Sequence, residues 1–280
     1  MKLKELDRYL VKPGKELRLK DISTDTVKHL PEREKADQEM QKAAEKIGAM
    51  QDRLYAEGRR SVLVILQGMD ASGKDGTVRK VFDGVNPTGV QVTSFKQPSS
   101  EELRHDFLWR CHAKVPPRGY IGVFNRSYYE DVLVVRVHAA RLLPRELRDD
   151  KQEWHRRYKT INSFENLLAD GSTRVVKFFL HISKEEQRKR FMARQKDPEK
   201  NWKLAAGDFE ERRFWDDYQS AYEQMLPATS SERAPWYVIP GDHKWVRNYW
   251  VSHILLAALE EMDPQPPKLL DKSLTSRRFK

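Results

Sequence analysis

One cysteine, Cys111, stands among the 280 residues. A single thiol excludes an intrachain disulfide and fits a reducing compartment, so a cytoplasmic location is expected. Long hydrophobic runs are missing too. The longest fall far short of the roughly 20 residues that span a bilayer, and the opening MKLKELDRYL lacks the apolar core of a secretion signal. A soluble protein with no membrane partner is expected. No Gly/Ser linker and no internal repeat divide the chain, which points to one domain with appendages. The eight histidines show neither Cys/His metal spacing nor a Ser-His-Asp arrangement.

What the chain has in abundance is charge. Fifty-two Lys and Arg oppose 42 Asp and Glu, leaving a net +10. Such a surface suits a polyanion, whether nucleic acid, anionic membrane or polymeric phosphate, and charge alone does not choose among them.

The choice narrows at residues 68–75, which read GMDASGKD. Gly68, Met69, Asp70, Ala71, Ser72, Gly73 and Lys74 fit the G-x-x-x-x-G-K phosphate-binding loop. The context supports the match. The unbroken apolar run 62–66 suits a strand buried on both faces, and Val78, Val81, Phe82 and Val85 repeat as one face of a helix. A strand, a glycine loop and a helix in that order aim backbone N–H groups at an anion, and an exposed Lys74 reaches the terminal phosphates. The alternative is an ordinary strand-to-helix turn with a surface lysine. Asp75 stands where most such loops carry the Ser/Thr that binds Mg²⁺. Asp70 is therefore expected to bind Mg²⁺ directly or through water. Asp75 serves either the metal or the helix N-terminus, Gly76 follows in the loop, and Thr77 offers a hydroxyl.

Alternating strands and helices imply a parallel sheet. Strands are expected at 62–66, 90–95, 120–124, 175–182 and 236–239. Helices are expected at 32–57, from a Ser99/Glu102 capping box to about Lys114, over Tyr128, Tyr129 and Glu130, from Trp154 to Leu168, after Ser183, from Asp208 to about Met225, and at 246–259. Residues 1–57 are expected to form a basic arm and a long amphipathic helix, 58–262 a kinase-like domain with a lid at about 184–212, and 263–280 a basic, Pro-containing tail expected to be mobile. The stripe Ala36, Met40, Ala43, Ile47, Met50, Leu54 suits packing on the chain's own core or a partner-helix seam.

Phosphoryl transfer needs cations on spreading negative charge and a metal on phosphate oxygens. Arg126, directly after the third strand, is placed to clamp phosphate, or else forms a surface salt bridge. Arg188, Arg190 and Arg194 lie on a helix suited to a closing lid, or to a solvated basic face. Asn125 occupies the place of a strand-end acid, which moves the metal role onto Asp70 and onto Glu130 or Asp131.

GMDASGKDGT at 68–77, FNRSYYEDVLVVRVH at 124–138 and RFMARQKDPEKNWKLAAGDFEERRFWDDY at 190–218 occur in order. Together they resemble the second family of polyphosphate kinases over about residues 30–260. The resemblance implies a three-layer α/β P-loop kinase fold related to thymidylate kinase, with a central five-stranded parallel sheet, a helical lid and an N-terminal helical extension. It also implies Mg²⁺ dependence and reversible transfer between inorganic polyphosphate and nucleotides, AMP to ADP and ADP to ATP. By motif, Asp70, Lys74, Arg126, Arg188 and Arg194 become the catalytic set. Asn125, Tyr129, Glu130 and Arg136 join the loop in phosphate and nucleotide binding. Many members carry Asp where this chain has Asn125. Guanine nucleotides as further substrates and a homo-oligomer are also expected. The alternatives are an ATP-dependent nucleoside monophosphate kinase, which has less use for a cationic surface, and a nucleic-acid-binding P-loop protein, for which no recognition motif is present.

Overall fold

The computed structural model describes residues 6–148, 150, 152–204, 206–268 and 275. The first five residues of the basic arm, and most of the tail expected to be mobile, lie outside the described residues.

Strand β1 (Ser61–Gln67) is buried along its whole length. Val62, Val64 and Leu66 enter one core cluster, and Leu63 and Ile65 enter the other. Its apolar run is unbroken because helices cover both faces of the sheet. The remaining strands are β2 (Val90–Ser94), β3 (Ile121–Asn125), β4 (Thr173–His181) and β5 (Trp236–Pro240). All pair in parallel in the order β2-β3-β1-β4-β5. The chain builds β2 and β3 on one side of β1, then crosses to β4 and β5. The loops after β1, β3 and β4 therefore converge at the carboxyl ends of the central strands, where open parallel sheets bind ligands.

The longer helices are α1 (Arg33–Glu57), α2 (Lys74–Val81), α3 (Glu153–Asp170), α4 (Lys184–Lys196), α5 (Trp215–Thr229) and α6 (Lys244–Met262). Helices α1, α2 and α6 pack on one face, with Ala36, Met40, Ala43, Ile47 and Leu54 of α1 buried in the same cluster as Trp250, Ile254 and Leu255 of α6. The α1 stripe thus packs on its own core. Helices α3 and α5 cover the opposite face through Tyr158, Ile161, Phe164, Tyr218, Tyr222 and Met225. Cys111 is buried there as a free thiol. The N-terminal arm packs on the body: Leu6, Tyr9, Val11 and Leu19 are buried, and Leu10 forms an antiparallel bridge to Tyr237. The arm thereby covers the outer edge of β5, an edge that left open invites pairing with another chain.

Three expected helices differ. The Ser99/Glu102 box forms, with reciprocal hydrogen bonds of 2.7 and 3.2 Å, yet it opens only a 3₁₀ turn at Glu102–Arg104. The Asp106 carboxylate then accepts from Leu108 N at 2.9 Å, a local bond that competes with helix continuation. One helical turn follows at Trp109–His112. Tyr128–Val132 is 3₁₀ rather than α. The helix expected from Asp208 to Met225 is interrupted by a 3₁₀ turn at Arg212–Phe214, after which α5 runs on to Thr229.

Candidate active site

In loop 68–73, side chains donate to each carbonyl oxygen from 68 to 72. Lys74 Nζ donates to Gly68 O at 2.7 Å and Met69 O at 3.3 Å. Gln187 Nε2 donates to Asp70 O at 3.0 Å. Arg190 Nη1 donates to Ala71 O and Ser72 O, both at 2.9 Å, and Arg247 Nη1 reaches Ser72 O at 3.0 Å. The first helical bond, Thr77 N to Gly73 O at 2.9 Å, leaves the preceding N–H groups without acceptors inside the helix. That is the arrangement an anion fits. The turn needs positive φ at Gly68 (154°), Ala71 (62°) and Gly73 (99°). A Cβ at Gly68 would lie 2.7 Å from Leu180 O.

Beside the loop, Arg126 leaves β3 with φ 64°. This left-handed conformation is strained for a side-chain-bearing residue. Its guanidinium lies 2.6 Å from Asp70 Oδ1 and 3.3 Å from Glu130 Oε2. The neighbouring carboxylates, Glu130 foremost and then Asp70, raise its pKa against the opposing effect of burial. Tyr222 is buried against the same three charges. Asn125 Nδ2 donates to Asp75 Oδ1 at 2.6 Å, so the residue at the strand-end acid's place tethers the loop's carboxylate.

Loop, Asp70, Lys74, Asp75, Asn125, Arg126 and Glu130 are thus brought together as expected, with two corrections. Lys74 is buried, not exposed, and burial first, then the charge of Arg126, pushes its pKa down to about 8. Tyr129 is fully buried in the core. Its hydroxyl donates to Glu165 at 2.8 Å and accepts from Lys177 at 2.9 Å, inside a network where Lys177 and Glu165 pair at 2.5 Å. The Thr77 hydroxyl donates back to Gly73 O at 3.2 Å. Asp131 faces Arg157 at 4.0 Å, and burial pushes its carboxyl up to about 6. Arg136 donates to the Tyr158 hydroxyl at 2.7 Å and to Gln224 at 2.6 Å.

Of the α4 cations, Arg188 is exposed and paired with Glu185, and Arg194 lies over the Phe191 ring. Arg190 is no free cation: it also donates to Gly241 O at 2.7 Å and Asp242 O at 3.0 Å and pairs with Glu186 at 2.7 Å. Gln187 and Arg247 were not expected from the sequence. A lone arginine among Trp245, Val246, Tyr249, Trp250 and Val251 was the available signal.

Among the described residues no group of three or more His, Cys, Asp or Glu is set to hold an ion, and no helix is long and apolar enough to cross a membrane. The donors beside the loop are hard carboxylate oxygens. One or two of them suit Mg²⁺, which keeps several waters and takes phosphate oxygens from substrate.

A parallel sheet, a strand–glycine loop–helix unit and the cations Lys74 and Arg126 at the strands' carboxyl ends define a P-loop phosphotransferase. The chain belongs to the polyphosphate kinase 2 (PPK2) family, which it matches over residues 31–267. It is 55% identical over 219 residues to the AMP/ADP-polyphosphate phosphotransferase of Meiothermus ruber, covering 78% of this chain and 79% of that protein. To the ADP-polyphosphate phosphotransferase of Rhodopseudomonas palustris it is 51% identical over 228 residues, covering 80% and 79%. The crystal structure of polyphosphate kinase 2 from Arthrobacter aurescens TC1 superposes with a TM-score of 0.87 at 39% identity, over 95% of this chain and 93% of that one.

Proposed function

We propose that the protein transfers phosphoryl groups reversibly between inorganic polyphosphate and adenine nucleotides, AMP to ADP and ADP to ATP, with Mg²⁺. The observation that carries this reading is the convergence of the loop's free N–H groups, Lys74 and the Arg126 guanidinium at one point. Together they place hydrogen-bond donors and positive charge where phosphoryl transfer spreads negative charge. The acceptor phosphate, with a second pKa of about 6, is already ionised at neutral pH. No general base is needed, so Asp70 and Glu130 are free to serve Arg126 and the metal. Asp70 and Glu130 orient Arg126, and Asp70, joined by Glu130, would hold the metal. Bound there, Mg²⁺ would neutralise phosphate oxygens and help align donor and acceptor.

Residues 184–212 are assigned as the lid of a kinase domain spanning 58–262, with 1–57 and 263–280 as extensions. Because Arg190 ties α4 to the loop and to Gly241–Asp242, closure bends the chain beyond Arg190 and brings Arg194 inward. Arg188 and Arg136 complete the phosphate-binding set. Guanine nucleotides as further acceptors, a homo-oligomer and a cytoplasmic location belong to the same reading. The test is product analysis with purified protein, Mg²⁺ and long-chain polyphosphate, supplying AMP or ADP separately. Formation of ADP and then ATP from AMP is expected, and absence of both products overturns the reading.

A further inference from the structure

Arg247 has three features that a purely structural arginine would avoid. Its side chain is buried, yet its hydrogen-bond acceptors are all neutral: Ser72 O at 3.0 Å and Asn248 Oδ1 at 3.0 and 3.2 Å. The other buried or half-buried cations around the loop have carboxylates. Arg126 has Asp70 and Glu130, Arg190 has Glu186, and Asp70, Glu130 and Asp75 act on Lys74. Arg247 is also in the first turn of α6, a turn without an acidic residue, where the helix dipole disfavours a cation. The charge that acts on it is another cation, Arg190, and both guanidiniums meet on one oxygen, Ser72 O. Burial, with the charge of Arg190, pushes the Arg247 pKa down to about 9.

The place of this unpaired charge is informative. The Ser72 carbonyl belongs to the same peptide unit as the Gly73 N–H, one of the donors facing the anion. Two cations on the carbonyl polarise that peptide and strengthen its N–H as a donor. The guanidinium also packs where a Cβ of Gly73 would sit, and it lies 3.5 Å from a Cβ built at Gly76. It therefore underlies the loop from behind, and the ligand approaches from the other side.

We propose that Arg247 is a positioning residue for phosphoryl transfer: it acts through the Ser72–Gly73 peptide, and its missing counter-charge is the phosphate anion held by the loop. This rests on the phosphate-binding reading of that loop. Burying an unpaired charge destabilises a fold, so the free protein carries a penalty that the anion relieves.

Arg247→Met and Arg247→Lys test this, using thermal unfolding of the free protein and calorimetric titration with inorganic tripolyphosphate. A structural role predicts that Arg247→Met unfolds at a lower temperature and binds tripolyphosphate as before. The proposal predicts the reverse: an unfolding temperature unchanged or raised without ligand, and tripolyphosphate affinity weakened at least tenfold. Arg247→Lys, which keeps the charge, should recover most of that affinity. A lowered unfolding temperature or failure to fold in Arg247→Met, wild-type affinity in that variant, or a Lys variant no better than Met would each overturn the proposal. Wild-type protein that does not bind tripolyphosphate would overturn the reading of the loop itself, and the proposal with it.

Discussion

At the scale of single residues, Lys74 carries a pH dependence whose sign can be worked out. Its pKa is held near 8, below the ordinary 10.5. In the free enzyme the ammonium is therefore lost as pH rises through 8, while a bound phosphate favours the charged form. kcat/KM should fall above about pH 8 and kcat should persist to higher pH, a split that reports the free enzyme and the complex separately. Stability follows the opposite course. The unfolded chain keeps this proton up to 10.5 and the folded chain releases it near 8, so raising pH across that window relieves a buried charge and stabilises the fold. Lys74→Met should retain the fold and lose turnover by a factor on the order of 10²–10³, the usual effect of deleting one stabilising donor. Asp70→Asn should lower kcat, weaken the response to Mg²⁺ and leave Arg126 with Glu130 alone; Mg²⁺ titration of initial rates checks it. These residues were legible because the loop motif and the residue after a buried strand have fixed places in such folds. Tyr129 was not legible: in a 3₁₀ turn successive side chains point in different directions, and its partner Glu165 lies 36 positions away.

At the scale of elements, α4 is tied to the loop through Gln187 and Arg190, and farther along it carries Arg194 of the proposed lid. Arg190→Ala removes donors from Ala71, Ser72, Gly241 and Asp242 and leaves Glu186 unpaired. A loss of stability on the order of 3 kcal/mol in urea unfolding is expected, from several charge-assisted bonds at once. Arg194→Lys, by contrast, should leave stability alone and depress kcat, since Lys keeps the charge and loses the planar fork; a change confined to the polyphosphate KM would make Arg194 part of a uniform binding track. On the opposite face, Glu165→Gln would strand the Lys177 ammonium in the core, where breaking a buried pair costs about 3–5 kcal/mol. Strand positions were readable within one or two residues: burial on both faces writes a continuous apolar run in β1, and the half-exposed β2 shows alternation instead. The segment 99–114 and the break at Arg212–Phe214 were not. Both depend on competing contacts, Asp106 with Leu108 N and Arg212 with Lys184 O and Gln187, that periodicity does not encode.

At the scale of the whole molecule, the net +10 separates polymeric from monomeric substrates. A chain of phosphates bound through several contacts releases several counterions, as nucleic acids do. The polyphosphate KM should therefore rise more steeply with ionic strength than the AMP KM, at fixed free Mg²⁺, and very short polyphosphates should lose much of that dependence. Equal slopes would remove the polyanion track. That polyphosphate is the phosphoryl donor rests on the chain's membership of the PPK2 family and on its net positive charge. The most direct measurement is donor competition: initial rates of ADP formation from AMP at saturating Mg²⁺, with either long-chain polyphosphate or ATP as donor. Polyphosphate is predicted to support turnover that disappears in Lys74→Met, with ATP a poor donor. Efficient transfer from ATP with none from polyphosphate would contradict it.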